Sequence, residues 1–526
     1  MQVNARIIMK ELLEDLLDVS STRNDRAATR KLLSTYLPSA HPTLDELYRL
    51  GQLESAILDG SAELPNGARR SSYLLFCRFL RKLDIGQTLR SEKEVIASFH
   101  SRQEMVGLYD SVPTKLGDIA RDIIYDLVGD LPDDIWDHGR FGPGSVAEGN
   151  FGLDKANLPI PRMLQNLDPL ARMRSEEPTS APFTRVTCVP KDWRGSRVIG
   201  MEPAWSMAAQ LSAKVLLEER LHHVVPFYDQ GKQRKLLTHA RFPIATVDLS
   251  NASDHVSVAL VRELFPSSWF GHLAAIRTER HTSLQQSART ESFALMGNGF
   301  CFPILSAVCF SLTMASHIIA TRNRRPRGLL DIKRYQDAYS IQCFGDDIVA
   351  PSATYEELLA DLTRVGLVVN REKSFSSGFR ETCGAYKFDE DERPFECLYL
   401  RTLDTKSGVA SLTALATRGK NLGYWRMSRA LVTAIRASWP GAFTKIGFSR
   451  KLWKPYTYWP TQQFRTRKVD LADGTGWWHA STRGIPREEN DGPGCITFLR
   501  NYSEQSVAFV RDEVSQASSL ATQLSR

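Results

Sequence analysis

The sequence lacks paired cysteines and long apolar runs. Its eight cysteines are scattered singly, none in a C-x-x-C arrangement, and no set of cysteines and histidines has the spacing of zinc ligands. Scattered cysteines suit a reducing cytoplasm, where most of them act as small buried apolar residues. The longest mostly apolar stretch, from Phe300 to Leu312, is shorter than a membrane span and contains Pro303. The sequence therefore predicts neither a zinc site nor a membrane span.

The N-terminal segment does not have the pattern of a signal peptide. Acidic residues interrupt its apolar positions, and Ile8, Leu12 and Leu16 follow helical spacing. Residues 1–125 are rich in leucine, arginine and aspartate with the same periodicity. We therefore expect an amphipathic N-terminal helix, followed by further helices.

The composition is that of a globular protein with a modest positive charge. Of the 526 residues, 42% are hydrophobic and 24% are charged, and the formal net charge is +7. At about 100–200 residues per domain, the chain has room for about three units. The positive charge favours a polyanionic partner, although a mildly basic enzyme without such a partner has the same excess of positive charge. Basic residues cluster at Arg322–Arg327 and again at Arg465–Lys468.

Strands and helices are predicted to alternate in the middle of the chain. The sequence indicates strands and a loop over 180–202 and a helix over 203–222. Next come a strand (243–249), a helix (299–320), two strands joined by a tight turn (339–350), a helix (354–366) and a strand (367–369). This β-α-β-β-α-β order is ferredoxin-like and places the first strand beside the hairpin.

Three aspartates lie at the ends of these predicted strands. Asp248 ends the first strand, and Asp346 and Asp347 follow Gly345, which permits a tight turn. Transfer of a nucleotidyl group to a sugar hydroxyl uses two divalent ions held by carboxylates on separate rigid segments. An Asp-Asp pair alone is usually a solvated surface pair. Together with Asp248, however, it predicts a site for two Mg²⁺ ions, or Mn²⁺.

Five motifs in this order resemble the RNA-directed RNA polymerase of positive-strand RNA bacteriophages, the levivirus replicase β subunits. They are DLSNASD at 248–254, MGNGF at 296–300, FGDD at 344–347, NREKSF at 370–375 and FRETCG at 379–384. The resemblance runs from about Arg140 to Arg401 and is weak outside that range.

The resemblance implies an α+β right-hand polymerase fold with fingers, a palm with a ferredoxin-like core, and a thumb. The implied regions are a helical region contributing to fingers and thumb contacts (1–125), fingers (126–242), palm (243–400), and thumb with the C-terminal region (401–526). It also implies that Asp248, Asp346 and Asp347 are catalytic metal ligands.

Further roles follow from the same resemblance. Asp254 and Asn298 would sense the ribose 2′-hydroxyl, although both residue types are also common in turns. Gly297 and Gly299 would let the backbone approach nucleotide or template closely, although a plain turn has the same requirement. Lys373 would protonate the departing pyrophosphate as a catalytic acid, with a solvated lysine as the alternative.

A basic segment precedes the helix predicted at 203–222. It supplies Lys191, Arg194 and Arg197 and resembles the fingers motif that meets the triphosphate of the incoming nucleotide. Arg197 is the strongest choice, because a guanidinium offers paired donors to phosphate. An exposed basic loop is the alternative. Residues 140–145 are either a template-contacting loop or a turn, and the aromatic residues at 452–459 either stack on RNA or fill a core.

The activity implied is template-directed RNA synthesis from ribonucleoside triphosphates on a single-stranded RNA, replicating a phage genome. The resemblance implies three host partners: elongation factors Tu and Ts and a small-subunit ribosomal protein. It implies no membrane association and a location in the cytoplasm of the bacterial host. A reverse transcriptase is the nearest alternative, and a non-catalytic RNA-binding protein on a polymerase-like scaffold is the other. Small or polar residues at 249–251, where reverse transcriptases place an aromatic side chain, favour ribonucleotides.

Overall fold

The computed structural model describes residues 2–18, 23–65, 69–109, 112–142, 144–150, 155, 158–164, 167, 183–284, 286–405, 408–438, 465–470 and 476–481. The helices are α1 (Ala5–Asp18), α2 (Arg23–Ser34), α3 (Leu44–Asp59), α4 (Arg70–Arg78), α5 (Glu92–Val106), α6 (Thr114–Val128), α7 (Ala204–Leu221), α8 (Gln230–Arg234), α9 (Leu236–His239), α10 (Ala252–His255), α11 (Val258–Leu264), α12 (Ser267–Ala275), α13 (Cys301–Thr321), α14 (Gly328–Tyr339), α15 (Tyr355–Arg364), α16 (Val409–Asn421) and α17 (Trp425–Ser438). The strands are β1 (Phe183–Asp192), β2 (Gly195–Met201), β3 (Ile244–Val247), β4 (Arg280–Ser283), β5 (Gln286–Arg289), β6 (Gln342–Phe344), β7 (Asp347–Pro351), β8 (Phe379–Thr382), β9 (Ala385–Phe388), β10 (Phe395–Glu396), β11 (Arg465–Asp470) and β12 (Gly476–Ser481). This mixture confirms the predicted α+β class.

The chain divides into two compact units. The first comprises Met1–Leu89, Asp192–Arg194 and Cys397–Arg526, and the second comprises Arg90–Lys191 and Gly195–Glu396. The predicted region boundaries after residues 125, 242 and 400 remain predictions. The aromatic segment at 452–459 lies outside the described residues.

In the first unit, α1 packs against α17 and α2. The predicted apolar stripe is confirmed, since Ile8, Leu12 and Leu16 are all buried. Asp15 on the same helix accepts hydrogen bonds from the backbone N–H groups of Arg426 at 3.0 Å and Met427 at 2.9 Å. These groups have no partner within α17, so the carboxylate satisfies the first turn of that helix.

In the second unit, α13 is the central helix and packs against α6, α7 and α15. Among the described helices, it alone has the length and composition of a membrane span, but 89% of its apolar window is buried inside the protein. Burial on all sides explains its nearly uninterrupted apolar sequence. The predictions of helices at 203–222, 299–320 and 354–366 are confirmed by α7, α13 and α15.

A three-stranded antiparallel sheet in the order β3-β7-β6 packs beside α13. Val247 pairs with Ile348, and Phe344 pairs with Asp347 across the hairpin. The predicted strand at 367–369 is shorter than expected, because only an isolated bridge joins Val369 to Leu249. A 3-10 turn at Arg371–Lys373 follows and interrupts the pairing, which resumes at a bridge between Phe375 and Thr246.

Three further sheets complete the described strands. They have the orders β2-β1-β4-β5, β10-β9-β8 and β11-β12. The β1–β2 hairpin confirms the strands and loop predicted over 180–202. The β4–β5 hairpin was not predicted, because its short polar strands lack an apolar alternation.

Candidate active site

The three aspartates lie at one edge of the β3-β7-β6 sheet. Asp248 directly follows β3, Asp346 lies in the turn between β6 and β7, and Asp347 begins β7. Because Val247 pairs with Ile348, the next position along β3 falls opposite Asp347. The structure therefore brings together the backbone positions of the three predicted metal ligands.

Gly345 makes the hairpin turn possible. Its φ is +63°, and a Cβ atom at this position would lie 2.6 Å from the ring of Phe302. Its backbone N–H donates to Ser306 Oγ at 3.1 Å. Both partners belong to the first two turns of α13, so this helix fixes the position of the turn that carries Asp346.

The site concentrates negative charge on three half-buried carboxylates. Burial raises the pKa of the Asp347 carboxyl to about 7, and repulsion from Asp346 and Asp248 adds to the rise. Burial is also the main cause that raises the pKa values of Asp346 and Asp248. The charge of Glu381 on β8 acts in the same direction on Asp347. Such a group of carboxylates is stabilised by cations.

Asp248 already has protein partners. Its Oδ2 atom accepts hydrogen bonds from Asn370 Nδ2 at 2.9 Å and from Lys373 Nζ at 3.3 Å. Lys373 therefore lies at the edge of the sheet that carries the three aspartates, and its role as an acid remains a prediction. The positive charge of Lys373 opposes the rise in the pKa of Asp248.

The donor set suits a hard divalent ion, since Mg²⁺ takes oxygen ligands and few carboxylates per segment. In the described part of the chain, no three or more His, Cys, Asp or Glu side chains converge as a ready-made metal site. In this structure, Asn370 and Lys373 both donate to the Oδ2 atom of Asp248. The three aspartates fit a metal site by charge and chemistry, and ion binding would require these contacts to rearrange.

Asp254 has an ion pair of its own. It is 5% exposed, and its Oδ2 accepts from Arg102 Nε at 3.1 Å and from Arg102 Nη2 at 3.0 Å. This pair joins α5 to α10. Burial raises the pKa of the Asp254 carboxyl, and the charge of Arg102 opposes that rise. The predicted contact with ribose remains a prediction, and it would require exchange of this partner.

Asn298 is held in a buried network. Its Nδ2 donates to Glu202 Oε1 at 2.5 Å, and its Oδ1 accepts from the backbone N–H of Leu295 at 2.5 Å. Glu202 is 2% exposed and also accepts from Thr184 Oγ1 at 3.1 Å and the backbone of Thr278 at 3.3 Å. Both ends of the Asn298 amide are thus engaged by the protein.

Gly297 and Gly299 do allow a close approach, but to the protein's own backbone. Gly297 has φ +107°, and a Cβ atom there would lie 2.7 Å from the carbonyl oxygen of Gly200. A Cβ atom at Gly299 would lie 3.1 Å from the backbone carbonyl carbon of Gln210 and from the backbone nitrogen of Leu211, both on α7. Both glycines therefore let the loop before α13 pack tightly on its neighbours, and their predicted approach to nucleotide remains a prediction.

The basic residues differ in their surroundings. Arg197 is exposed on β2 of the second unit, and its charge opposes the rise in the pKa of Asp346. Lys191 is also exposed. Arg194 belongs to the first unit, where its Nη2 pairs with Asp192 Oδ2 at 2.6 Å. Of these three basic residues, Arg197 is the one whose charge acts on a predicted metal ligand, Asp346.

The loop at 140–145 is held by hydrogen bonds from a buried lysine, Lys155. Lys155 is 2% exposed, and its Nζ donates to the carbonyl oxygens of Gly142 and Gly144. Next to the loop, Arg185 Nη2 donates to the carbonyl of Val146 at 3.0 Å. These contacts favour the interpretation as a structural turn.

Sequence reasoning missed several residues that support the site. Gln233 on α8 is fully buried, and its Nε2 donates to the carbonyl of Asp347 at 2.9 Å and to Thr382 Oγ1 at 2.8 Å. The backbone N–H of Cys383 donates to the Asp347 carboxylate. Glu381 and Cys383 stand within a motif that the resemblance singled out, whereas Gln233 has no local signal.

Comparison with known proteins finds similarity to viral RNA polymerase subunits. Residues 168–412 match the family described as RNA replicase, beta-chain. The RNA-directed RNA polymerase subunit beta of Qbeta virus (strain MX1) is 34% identical over 221 residues, 41% of this chain and 35% of the relative. That of Escherichia virus Qbeta is 30% identical over 295 residues, 53% of this chain and 48% of the relative. The chain thus spans less than half the length of these relatives.

A solved structure is also similar at low identity. An insertion-loop deletion mutant of the RNA-dependent RNA polymerase of a human picobirnavirus gives a TM-score of 0.48 at 13% identity, covering 82% of this chain and 87% of that chain.

Proposed function

We propose that this chain, whose residues 168–412 match the family described as RNA replicase, beta-chain, is an RNA-directed RNA polymerase that replicates a phage RNA genome. It copies a single-stranded RNA template, joins ribonucleoside triphosphates and releases pyrophosphate. The observation that carries the proposal is the placement of Asp248 at the end of β3 beside the turn that holds Asp346 and Asp347.

Asp248, Asp346 and Asp347 would hold two Mg²⁺ ions, or Mn²⁺, as dependence on divalent ions is general among such polymerases. The half-buried, mutually repelling carboxylates support this assignment, because added positive charge would relieve their repulsion. Bound ions would activate the attacking 3′-hydroxyl and stabilise the charge that develops on phosphorus.

The chain's own basic residues would handle the triphosphate. Arg197, with Lys191 and Arg194, would bind its negative oxygens and orient it for in-line attack. Lys373 Nζ, 3.3 Å from Asp248 Oδ2, would give its proton to the departing pyrophosphate. Asp254 and Asn298 would contact the ribose, and Gly297 and Gly299 would shape the loop beside it.

Replacing Arg197 with glutamine is expected to raise the KM for ribonucleoside triphosphates roughly 10- to 100-fold. A hydrogen bond to a charged group contributes about 1.5–3 kcal/mol, and each 1.4 kcal/mol is about tenfold. Steady-state extension rates across nucleotide concentrations would measure the change. The matched control is Arg364→Gln, which removes an exposed arginine paired with Asp361. An equal KM in both variants would contradict the role of Arg197.

Replacing Asn298 with alanine is expected to relax selection of ribonucleotides over deoxynucleotides. It also leaves the buried Glu202 without one donor, so we expect a loss of about 1–3 kcal/mol in the free energy of unfolding. Competitive incorporation of ribo- and deoxynucleotides measures the first effect, and denaturant unfolding measures the second. A wild-type ribo/deoxy ratio, with the stability loss present, would mean that Asn298 serves only the loop.

The partners and location extend the same proposal. Host elongation factors Tu and Ts and a small-subunit ribosomal protein would join the chain, and replication would take place in the cytoplasm of the bacterial host. These expectations rest on the family resemblance alone.

The test is synthesis by the full chain from a single-stranded RNA template, ribonucleoside triphosphates and Mg²⁺, with and without bacterial extract. Template-dependent RNA product is the expected result. Preferential use of deoxynucleotides would instead indicate a reverse transcriptase, and RNA binding without synthesis in either condition would indicate a non-catalytic protein.

A further inference from the structure

The loop between α13 and α14 carries four arginines, Arg322, Arg324, Arg325 and Arg327. Three of them, Arg322, Arg324 and Arg327, are exposed, whereas Arg325 is half-buried. None of the catalytic roles proposed above uses this loop.

Arg325 anchors the loop rather than contributing to its free charge. Its guanidinium forms ion pairs with Asp122 at 3.3 Å and Asp126 at 3.1 Å, both on α6. Asp126 also accepts from the backbone N–H of Gly328 at 2.9 Å. The buried Pro326 lies between these two contacts.

The other end of the loop is fixed as well. Asn323 Nδ2 donates to the hydroxyl of Tyr335 at 3.1 Å and to that of Tyr339 at 3.0 Å. The loop therefore has a set conformation before any ligand binds, which reduces the entropy that binding would lose.

The exposed arginines remain uncompensated. Within the described residues, the side chains of Arg322, Arg324 and Arg327 form no ion pair or hydrogen bond, and the backbone N–H of Arg322 donates to Ile319. Arg322 also has φ +55°, a backbone conformation at a helix end that usually selects glycine or asparagine. Three mutually repelling charges, one on an unfavourable backbone, lower stability unless an anionic ligand balances them.

We propose that the loop formed by residues 322–327 binds the phosphate backbone of a single RNA strand at a site separate from the three aspartates. This inference rests on the proposed function, which supplies RNA as the polyanion. The first turns of α13 contact the turn that carries Asp346. The loop follows the other end of this helix. At 1.5 Å per residue, the two ends of the 21-residue helix are about 30 Å apart.

The chemistry of the loop favours phosphate over bases. A guanidinium offers two parallel donors that match phosphate oxygens. The loop contains no aromatic side chain on which a base would stack. Binding is therefore expected to be independent of base sequence and strongly dependent on salt.

The test uses the full chain with Arg322→Gln, Arg324→Gln and Arg327→Gln combined, titrated against fluorescent poly(U) between about 50 and 200 mM salt. Each phosphate contact on a single strand contributes about 0.7 to the slope of log affinity against log salt. Losing three contacts lowers the slope by about 2. The affinity at about 0.1 M salt then falls on the order of 100-fold.

A matched control neutralises three other exposed arginines of the same unit, Arg220, Arg262 and Arg364, with the same change in net charge. The expected result is a larger loss of slope in the loop variant than in the control. Equal losses, or an unchanged slope in the loop variant, would overturn the inference. An unchanged slope with lost binding of an acidic protein would also overturn it and assign the loop to a protein partner.

The proposed polymerase activity and the proposed RNA binding by the loop are tested by different measurements. RNA synthesis by the wild-type chain is measured separately, and its absence would refute polymerase activity. The difference in slope between loop and control variants tests the loop in either case.

Discussion

Replacing Asp347 with asparagine is expected to abolish RNA synthesis while the protein stays folded. Asparagine keeps the size of the side chain but removes the charge that would hold a divalent ion. A bound ion contributes several kcal/mol to stabilising the transition state, so we expect a loss of about 1000-fold or more. The measurement is incorporation of ribonucleotides on an RNA template at saturating Mg²⁺.

Thermal unfolding in metal-free buffer separates lost chemistry from lost structure. In the wild-type protein, Asp346 and Asp248 repel the half-buried Asp347 carboxylate. Asparagine removes this repulsion, so the melting temperature is expected to equal or exceed that of the wild type. The matched control is Asp337→Asn on α14, where the exposed side chain pairs only locally with Lys333. Substantial synthesis by the Asp347 variant would exclude its role as a metal ligand.

Elements with a strong local pattern were predictable from the sequence. The strand before Asp248, the hairpin around Gly345 and the core helix α13 all have runs of apolar residues bounded by turn formers. The hairpin and strand then place the aspartates together, because an antiparallel register fixes which ends meet. The candidate site was therefore predictable at the level of backbone positions.

Side-chain partners were not predictable in the same way. Arg102 and Asp254 are separated by 152 residues, and Glu202 and Asn298 by 96. Apolar periodicity tells which face of an element is buried, but it does not tell which distant polar group lies opposite. Buried polar groups need partners, so the burial of Asp254 and Asn298 implies a partner without identifying it.

These partners change how the site would work. Asp248, Asp254 and Asn298 are each hydrogen-bonded to protein groups in this structure. Metal and nucleotide would therefore exchange existing contacts rather than fill unused ones. Binding strength then depends on the difference between the new contacts and those that are lost.

Replacing Gly297 with alanine is expected to destabilise the protein by about 2–5 kcal/mol. The residue has φ +107°, and the added Cβ would lie 2.7 Å from both the carbonyl oxygen of Gly200 and Cγ2 of Ile199. Backbone strain costs about 1–3 kcal/mol, and overpacking costs a similar amount. The backbone carbonyl has little freedom to move, since the N–H of Gly200 donates to the carbonyl of Met296 at 2.8 Å.

Gly378→Ala is the control that separates these two causes. Gly378 also has a positive φ, +77°, but nothing lies within 4 Å of its added Cβ. Strain alone predicts a loss of about 1–3 kcal/mol there. Denaturant unfolding compares the two variants, and RNA synthesis by Gly297→Ala is expected to fall roughly 100-fold, because a shift of about 1 Å in a positioning loop has that effect. Equal stability losses in both variants would show that the contact with Gly200 relaxes, and that backbone strain alone selects glycine at position 297.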